Sequence, residues 1–435
     1  MHEYAPMSQT AWWIITVVKI LVVFVAILII VAMLTLLERK IAGWIQDRLG
    51  PNRVGPTGLL QPIADGLKNI LKEETLPAQA NKIFFVLAPM ISIMPAAITF
   101  AVVPFAAPLP TPWGLVDMIL ADLPIGILYI LALTGLGVYG IVMAGWASNS
   151  KYSLLGGMRA SAQMVSYEVS LGLSLIPVFI LAGNVTLTQI VWDQQAGLGL
   201  WYALPLGLSF FMFVIASFAE TNRLPFDMAE AESELVTGYH TEYSSMKFSM
   251  FFIAEYSNMV TASALMATLF LGGWDIPFLS FDNMRIIAPG VVEGAQPAVW
   301  KTLLTFLSFA IKTFFFIVLF MWVRWTVPRF RYDQIMHLGW KVLLPVALAY
   351  IVIMAAAVLT LDSLGIEYGF GYGVILTIVN LIPTGIFLWI IDRDRVIAGS
   401  AGPGLEGKRR PGMPVGVTAT AVRPAAEAAE EAAWR

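Results

Sequence analysis

The chain has 435 residues, of which 58% are hydrophobic and 13% are charged, and it carries a formal net charge of −3 and no cysteine. Soluble domains usually carry roughly 25% charged residues, so this composition excludes an ordinary soluble protein. Without cysteine the chain cannot ligate an iron–sulfur cluster through its own thiolates. Its three histidines are scattered along the chain, which excludes a bis-histidine haem, so any electrons must be carried by a partner.

The apolar residues come in nine blocks, each long enough to cross a bilayer, which takes about 20 residues in a helix. Residues 1–13 lack the basic region and cleavage site of a signal peptide, so we expect the first block to be a retained span. Strands of a membrane barrel are short and alternating, which excludes a β-barrel. The sequence therefore predicts an all-α polytopic membrane protein of about nine transmembrane helices. The blocks are residues 13–37, 83–106, 122–146, 162–183, 203–219, 248–272, 302–326, 341–361 and 372–391.

A different kind of helix is predicted between the first two spans, over residues 57–72. It is too short and too charged to span a bilayer, and its apolar residues share one face. We therefore expect it to lie along the membrane surface. Two compatible roles remain open: a grip on a partner subunit, and one wall of a portal for a lipid-soluble ligand. The apolar face comprises Leu59, Leu60, Ile63, Leu67, Ile70 and Leu71.

Four charged residues lie away from the ends of the apolar blocks: Lys19, Glu168, Glu255 and Lys312. Such a charge costs about 2.5–3.5 kcal/mol on insertion scales and usually faces the bundle interior with a function. A tyrosine adjoins each glutamate, Tyr167 in span four and Tyr256 in span six, and could donate a hydrogen bond. We favour proton transfer by the glutamates; the alternative is that local partners neutralise them and they only fix helix packing. Lys19 can snorkel towards the surface, and the sequence assigns no partner to Lys312.

The segment 220–247, between spans five and six, is crowded with acids. Carboxylates this dense resist being ionised together, so some of their pKa values should rise. Between its ends only Arg223 and His240 are cationic candidates. A cluster of this kind can load and release protons near neutral pH. The acids are Glu220, Asp227, Glu230, Glu232, Glu234 and Glu242.

Basic residues alternate between the predicted loops, and lysine and arginine prefer the cytoplasmic side. The first loop is rich in them, whereas the loops at 107–121 and 184–202 have none, and the loop at 273–301 is a weak exception. This alternation predicts an outside N-terminus, an inside C-terminus and a cytoplasmic acidic loop. Residues 1–391 form the predicted membrane domain. Residues 392–435 are rich in Ala, Gly, Pro and Glu and are predicted to be a disordered cytoplasmic tail.

Four long strings resemble the H-subunit family of respiratory complex I, the proton-pumping NADH:quinone oxidoreductase, in its bacterial type. They occur in the family's order, and the resemblance covers most of residues 10–361. The ninth span and the tail extend beyond the family's common eight-span body. The strings are ERKIAGWIQDRLGPNRVGPTGLLQPIADGLK, SNSKYSLLGGMRASAQMVSYEVS, AETNRLPFDMAEAESELVTGYHTEYSSMKF and RWTVPRFRYDQIMHLGWK.

The resemblance implies a membrane-arm subunit that lies beneath the peripheral arm, builds much of the quinone tunnel and is inactive alone. It implies that this chain holds no cofactor, that quinone is the substrate, and that flavin and iron–sulfur clusters belong to partner subunits. The implied partners are the quinone-site and iron–sulfur subunits of the peripheral arm, neighbouring small membrane-arm subunits, membrane lipid and quinone, and no nucleic acid. The implied location is the bacterial cytoplasmic (inner) membrane.

The resemblance also implies residue roles. The six loop acids named above, with Glu168 and Glu255, form the proton path that couples to quinone chemistry. The helix at 57–72, with spans one and six, resembles the quinone entrance. Quinone reduction takes two electrons and two protons, and the accompanying change of field would shift protons among coupled carboxylates in a low-dielectric path. The residues assigned to the quinone tunnel or its polar surroundings are Arg39, Asp65, Lys68, Arg159, Arg223, Tyr167 and Tyr256.

Three alternatives remain. A homologous subunit of a membrane-bound hydrogenase or ferredoxin-linked complex would share the fold and the acids but lack quinone. A stand-alone secondary transporter often shows internal repeats and broken helices, and no convincing repeat is found here. A purely structural scaffold would leave the intramembrane acids unexplained.

Overall fold

The computed structural model of the chain describes residues 2–4, 7–230, 232–277, 279, 281–288 and 290–394. The chain divides into two compact units, Met1–Leu388 and Trp389–Arg435. In the second unit the described residues are the end of the last helix, which runs to Asp394. The predicted tail at 392–435 therefore lies almost wholly outside the described residues.

Helices form most of the described part of the chain. They are α1 (Gln9–Ile45), α2 (Gln61–Leu71), α3 (Lys82–Ile98), α4 (Gly126–Ala147), α5 (Lys151–Ala182), α6 (Leu187–Trp192), α7 (Gly207–Glu220), α8 (Glu232–Leu235), α9 (Ser245–Phe270), α10 (Val299–Thr326), α11 (Tyr332–His337), α12 (Leu344–Ser363) and α13 (Phe370–Asp394). The chain is therefore predominantly helical, as predicted.

Every predicted apolar block overlaps a helix, but the helices differ in how well they suit a membrane span. Among the described residues, seven helical stretches are long and apolar enough to cross a membrane. The other two blocks correspond to α7, which has only 14 residues, and to α9, which has 26 residues but includes Glu255 and Asn258. The seven stretches are Gln9–Ile45, Lys82–Val102, Gly126–Ala147, Lys151–Ala182, Val299–Thr326, Tyr332–Ser363 and Phe370–Trp389.

Two interhelical loops form short antiparallel hairpins that the sequence analysis did not predict. In the first, β2 (Leu109–Thr111) pairs with β3 (Gly114–Val116). In the second, β4 (Met284–Ala288) pairs with β5 (Val291–Gly294), and β1 (His2–Glu3) adds to the free side of β5. These strands are too short for the alternation of side chains along them to stand out in the sequence.

The helix predicted over residues 57–72 is shorter than expected, because its first turn is taken by a tight loop. A single 3₁₀ turn occupies Pro56–Gly58, and α2 begins only at Gln61. Gly58 has φ +82°, and a Cβ there would lie 2.2 Å from the carbonyl oxygen of Pro51. Only glycine fits such a left-handed, closely packed position. The loop is therefore closed upon itself before the helix starts.

The bundle places α9 at its centre. The helix α9 contacts α1, α3 and α10, while α5 contacts α4, α7 and α12. From Met259 to Phe270 nearly all side chains of α9 are buried. Close approach between α3 and α4 is permitted by Gly140, where a Cβ would lie 2.2 Å from Ser92 Oγ. The polar residues of α9 consequently face protein rather than the surroundings of the bundle.

A buried asparagine attaches α13 to the start of α7. The side chain of Asn380 is 3% exposed. Its Oδ1 accepts hydrogen bonds from the Tyr350 hydroxyl at 2.8 Å and from the Leu208 amide at 3.5 Å, and its Nδ2 donates to the Leu204 carbonyl at 3.3 Å. Because α7 has no capping side chain at its own N-terminus, Asn380 supplies a partner that first-turn amides require.

Replacing Gly58 by alanine should destabilise the protein. A non-glycine residue in the left-handed region costs about 1–2 kcal/mol, and the contact with Pro51 adds to this cost. Gly66→Ala is the matched control, because nothing lies within 4 Å of a Cβ at that position of α2. We expect the thermal unfolding midpoint of the detergent-purified protein to fall for Gly58→Ala and not for Gly66→Ala. Equal midpoints for the two variants would show that the loop does not constrain the fold.

Candidate functional site

The site is organised around Glu38, a carboxylate of α1 that is only 5% exposed. The hydroxyl of Tyr256 in α9 donates to its Oε2 at 2.6 Å. The guanidinium of Arg324 in α10 donates to its Oε1, and Arg223 Nη1 lies 3.3 Å from Oε2. A buried charge is tolerated when it is paired and hydrogen-bonded, and these three groups supply that environment for an ionised carboxylate.

Arg223, just after α7, joins Glu38 to a second carboxylate. Its side chain is 4% exposed, and its Nε lies 2.8 Å from Glu255 Oε1 in a close ion pair. The guanidinium carbon stands 4.2 Å from the centroid of the Tyr256 ring, within the range of a cation–π interaction. Burial alone would lower the pKa of Arg223, but Glu255 and Glu38 raise this pKa above its usual range. We refer to Glu38, Arg223, Glu255, Tyr256 and Arg324 as the Glu38 network.

A small cavity lies against this network. It has a volume of about 40 Å³, and Glu255, Glu230 and Glu220 all line it. Ser92 also lines it, and the buried Ser92 hydroxyl has no hydrogen-bond partner within the protein. A water molecule needs about 10–15 Å³ and two to four polar partners. The cavity can therefore hold water in contact with three carboxyl groups.

A second cavity, of about 30 Å³, continues from the first. The two share Glu220, and Thr134 and Thr261 line the second one. Thr134 hydrogen-bonds to Glu220, and the charge of Glu168 in α5 acts on Glu220 as well. Carboxyl groups from α7 and α9 are thus connected through polar side chains and space for water, and the carboxyl group of α5 acts on them through its charge.

The acidic loop folds back against the same cavity. The amide of Glu230 donates to Asp227 Oδ1 at 3.2 Å. Burial, together with the charges of Glu255 and Asp227, raises the pKa of Glu230 to about 8 against the opposing charges of Arg324 and Arg223. At neutral pH Glu230 is consequently protonated for most of the time. This is the behaviour that the crowding of acids in the sequence predicted.

The remaining loop acids lie in different settings. Glu234 forms an ion pair with Arg159, 2.5 Å between Oε2 and Nη1, at a partly exposed position. Glu242 is half-buried and belongs to none of the ion pairs among the described residues. The side chain of Glu232 lies outside the described part of the chain. Within that part, no group of three His, Cys, Asp or Glu side chains could hold a metal ion.

The tyrosines next to the membrane glutamates donate elsewhere. Tyr167 is fully buried, and its hydroxyl donates to the carbonyl of Ile335 at 3.0 Å. Tyr256 donates to Glu38, as described above. The sequence suggested the neighbouring glutamates as partners, but adjacent residues of a helix point in different directions. Tyr167 therefore serves to fix α5 against α11.

Polar residues at the α1–α2 junction form a separate, more exposed group. Arg39 Nη1 lies 2.6 Å from Asp65 Oδ2, with the two side chains 50% and 26% exposed. Lys68 is exposed on α2. The apolar side chains of this helix are also exposed, for example Ile63 at 61%. This surface therefore carries apolar groups with a charged border.

Two residues at the centre of the site, Glu38 and Arg324, were absent from the predicted set. Glu38 precedes the predicted Arg39 in the sequence ERK, and Arg324 lies near the end of the apolar block 302–326. A signal was present, since both are charged residues at the end of an apolar block. Their pairing across 286 residues could not be read from the sequence.

The two lysines predicted within apolar blocks bind backbone carbonyl groups. Lys312 Nζ donates to the carbonyls of Leu271 and Asp275, both at 2.6 Å, and to that of Gly273 at 3.1 Å. It thereby caps the C-terminal end of α9, where carbonyls lack helical partners. Lys19 similarly donates to two carbonyls of the first hairpin loop. These contacts answer the open question of what Lys312 pairs with.

Comparison with known proteins identifies the family. The sequence profile of the NADH dehydrogenase family matches residues 18–355. The NADH-quinone oxidoreductase H subunit 2 of Koribacter versatilis is 48% identical over 360 residues, covering 80% of this chain and 98% of that relative. The corresponding H subunit of Magnetococcus marinus is 47% identical over 359 residues, covering 82% and 96%, and H subunit 2 of Geobacter metallireducens is 51% identical over 354 residues, covering 79% and 95%. The chain therefore belongs to the H-subunit family of bacterial NADH-quinone oxidoreductase.

Proposed function

We propose that this chain is the membrane-arm subunit of NADH:quinone oxidoreductase that forms much of the quinone tunnel and couples quinone reduction to proton translocation. The observation that carries the proposal is Arg223, which contacts both the carboxylate of Glu38 and that of Glu255. Glu255 in turn lines a cavity shared with Glu230 and Glu220. A change of charge near Glu38 therefore alters the electrostatic potential at Glu255 and at the acids of the cavity.

In this proposal the quinone entrance lies where α1, α2 and α9 meet. These three helices contact one another pairwise. The exposed apolar side chains of α2 suit the isoprenoid tail of a quinone and the acyl chains of lipid. The Arg39–Asp65 pair marks the polar border of this surface. The head group would then pass towards the Glu38 network, which contains groups able to hydrogen-bond a carbonyl oxygen.

The proton path is placed along the carboxyl groups beside the two cavities. Reduction of quinone removes two protons from its surroundings and creates transient negative charge. Interactions between charges are stronger in a protein interior than in water. Negative charge near Arg223 and Arg324 would weaken their hold on Glu38 and Glu255. Protons could then move between Glu255, Glu230 and Glu220 through water in the cavities.

The membrane arrangement in this proposal uses all nine predicted spans. In it α7 and α9 cross as buried helices, since their polar residues face protein rather than lipid. The N-terminus lies outside, and the acidic loop and C-terminus lie in the cytoplasm of a bacterial cell, following the distribution of basic residues. The acidic loop would then face the peripheral arm, whose subunits hold the flavin and iron–sulfur clusters.

Purification of a tagged copy from native membranes tests the proposal as a whole. We expect flavin and iron–sulfur subunits to co-purify, with NADH:quinone reductase activity that a tunnel-blocking inhibitor abolishes. A hydrogenase or ferredoxin-linked partner set would retain the proton path and overturn the quinone assignment. A lone, active protein would point to a transporter instead.

Glu220→Gln should impair quinone turnover and proton pumping together, on the order of a hundredfold, while the complex still assembles. The reason is that glutamine keeps the shape of the side chain but cannot exchange a proton, and a positioned proton-transfer group typically contributes that much. Both rates are measured on the purified complex in proteoliposomes. The control is Glu73→Gln, an exposed acid outside the site. Normal turnover and pumping in assembled Glu220→Gln would remove this residue from the mechanism.

Glu38→Gln should destabilise the complex, because it leaves two guanidinium groups without their shared buried carboxylate. Removing one partner from a buried pair costs about 3–5 kcal/mol. The control, Glu293→Gln, breaks the more exposed pair with Arg285, which we expect to contribute about 0–1 kcal/mol. Thermal unfolding of the two purified complexes makes the comparison. Similar midpoints would show that Glu38 does not anchor the network.

A further inference from the structure

His240 is a buried residue of the acidic loop to which the proposed proton path gives no part. It closes a single 3₁₀ turn, Gly238–His240, and is 4% exposed. Tyr239 stacks against its ring, with centroids 4.9 Å apart, and Phe248 and Phe252 of α9 also contact it. The ring is therefore held in one orientation by aromatic neighbours from two elements.

The hydrogen bonding of the ring defines its tautomer. Nδ1 lies 2.8 Å from the carbonyl oxygen of Thr237. A carbonyl oxygen can only accept, so Nδ1 must carry the proton. Burial lowers the pKa of His240 to about 4, so the imidazole is neutral near pH 7. Its Nε2 is then a lone-pair acceptor, and this buried atom has no hydrogen-bond partner among the described residues.

The carboxyl of Glu230 lies close to Nε2 of His240. Oε1 of Glu230 lies 3.6 Å from Nε2 of His240. This is longer than a hydrogen bond, but rotation of the Glu230 carboxyl can close the gap. Burial raises the pKa of Glu230 to about 8, so near pH 7 the carboxyl carries the proton that Nε2 lacks. Near pH 7 the Glu230 carboxyl can therefore donate a hydrogen bond, and Nε2 of His240 can accept it.

The charges around the pair come from several elements. Asp227 and Glu255 act on Glu230 from the loop and from α9, and Arg223 and Arg324 oppose them from the loop and from α10. Glu230 also shares its cavity with Glu220. Beside the Glu230 carboxyl, the imidazole packs against the aromatic rings of Tyr239, Phe248 and Phe252, and of these three rings only that of Tyr239 can titrate. The position of a proton within the pair is therefore controlled from the Glu230 side.

We propose that His240 is a proton-transfer residue that accepts the proton of Glu230 and returns it during coupling. In the forward step the O–H bond of Glu230 breaks and an Nε2–H bond forms, which converts a neutral acid and a neutral imidazole into a carboxylate and an imidazolium. No charge leaves the pair, and Nδ1–H keeps its bond to Thr237. The reverse step restores Glu230. This inference rests on the proposed function, since it assumes that the loop acids carry protons.

The step responds to the Glu38 network. When Arg223 and Arg324 are drawn towards negative charge elsewhere, Glu230 loses cationic support and retains its proton. In the arrangement of the structure Glu230 keeps its proton. When the two guanidinium groups approach Glu230 more closely than this, a carboxylate there gains support and the proton moves to His240 for a short time. The pair thus converts a small displacement of guanidinium groups into a change of protonation, without taking a proton from bulk water.

The test uses four variants of the whole complex: Glu230→Gln, His240→Phe, His240→Gln and the control Glu73→Gln, which changes an exposed acid outside the site. Infrared difference spectra follow the carbonyl stretch of protonated carboxyl groups, with the Glu230 band identified by its loss in Glu230→Gln. A hydrogen bond to the protonated form raises a carboxyl pKa. Removing the acceptor in His240→Phe should therefore lower the midpoint of this band by about one pH unit.

Glutamine at position 240 separates a relay from a mere acceptor. Its amide oxygen can accept a hydrogen bond but cannot take up a proton at this pH. We expect His240→Gln to keep the midpoint near the wild-type value yet to lose about tenfold in quinone turnover and pumping. His240→Phe should lower both the midpoint of the band and the turnover, and Glu73→Gln should change neither.

The outcomes separate this inference from the proposed function. If Glu230→Gln is impaired while His240→Phe and His240→Gln both turn over and pump normally, the inference is overturned and the proposed path stands. If Glu230→Gln itself turns over and pumps normally, Glu230 leaves the proton path and the inference falls with it. If His240→Phe fails to assemble, the His240→Gln result decides alone, and normal turnover in that variant overturns the relay.

Discussion

The site depends on one electrostatic constraint: a carboxylate buried within a helical bundle must keep its cationic partners. Glu38 is such a carboxylate, and its partners come from α10, from α9 and from the segment after α7. Separating any of them would expose a charge to a medium in which isolated charges are very costly. The positions of α1, α9 and α10 are consequently linked through charge as well as through packing.

Within this constraint Arg223 has a divided role. It lies between Glu38 and Glu255, and Glu255 belongs to the cavity that also receives Glu230 from the acidic loop. The network therefore has one rigid part, the fully buried carboxylate with its donors, and one adjustable part, the acids beside water-sized spaces. Under the proposed function, quinone chemistry would act on the first part and proton movement would occur in the second.

Much of the fold follows from local sequence, and much of the site does not. Apolar blocks predict helices because twenty consecutive apolar side chains have few other arrangements, and each predicted block overlaps a helix. The density of carboxylates in the acidic loop likewise predicts raised pKa values, and the pKa of Glu230 is raised. The start of α2 was misplaced because Gly58 and Pro51 interact through a closed loop rather than through helical periodicity. The partners of Tyr256 and Arg324 lie 218 and 286 residues away, and nothing in one sequence specifies such pairs.

The attachment of α13 has a consequence for the shape of the surface on which an assembly is built. The family profile ends at residue 355, within α12, so α13 lies beyond the matched region. The side chain of Asn380 in α13 accepts hydrogen bonds from α7 and α12 of the same chain. A helix with its side chains is about 10 Å across. Beside Asn380, this width of α7 and α12 surface is covered by a helix of the same chain, so a neighbouring subunit on that side would contact α13 instead.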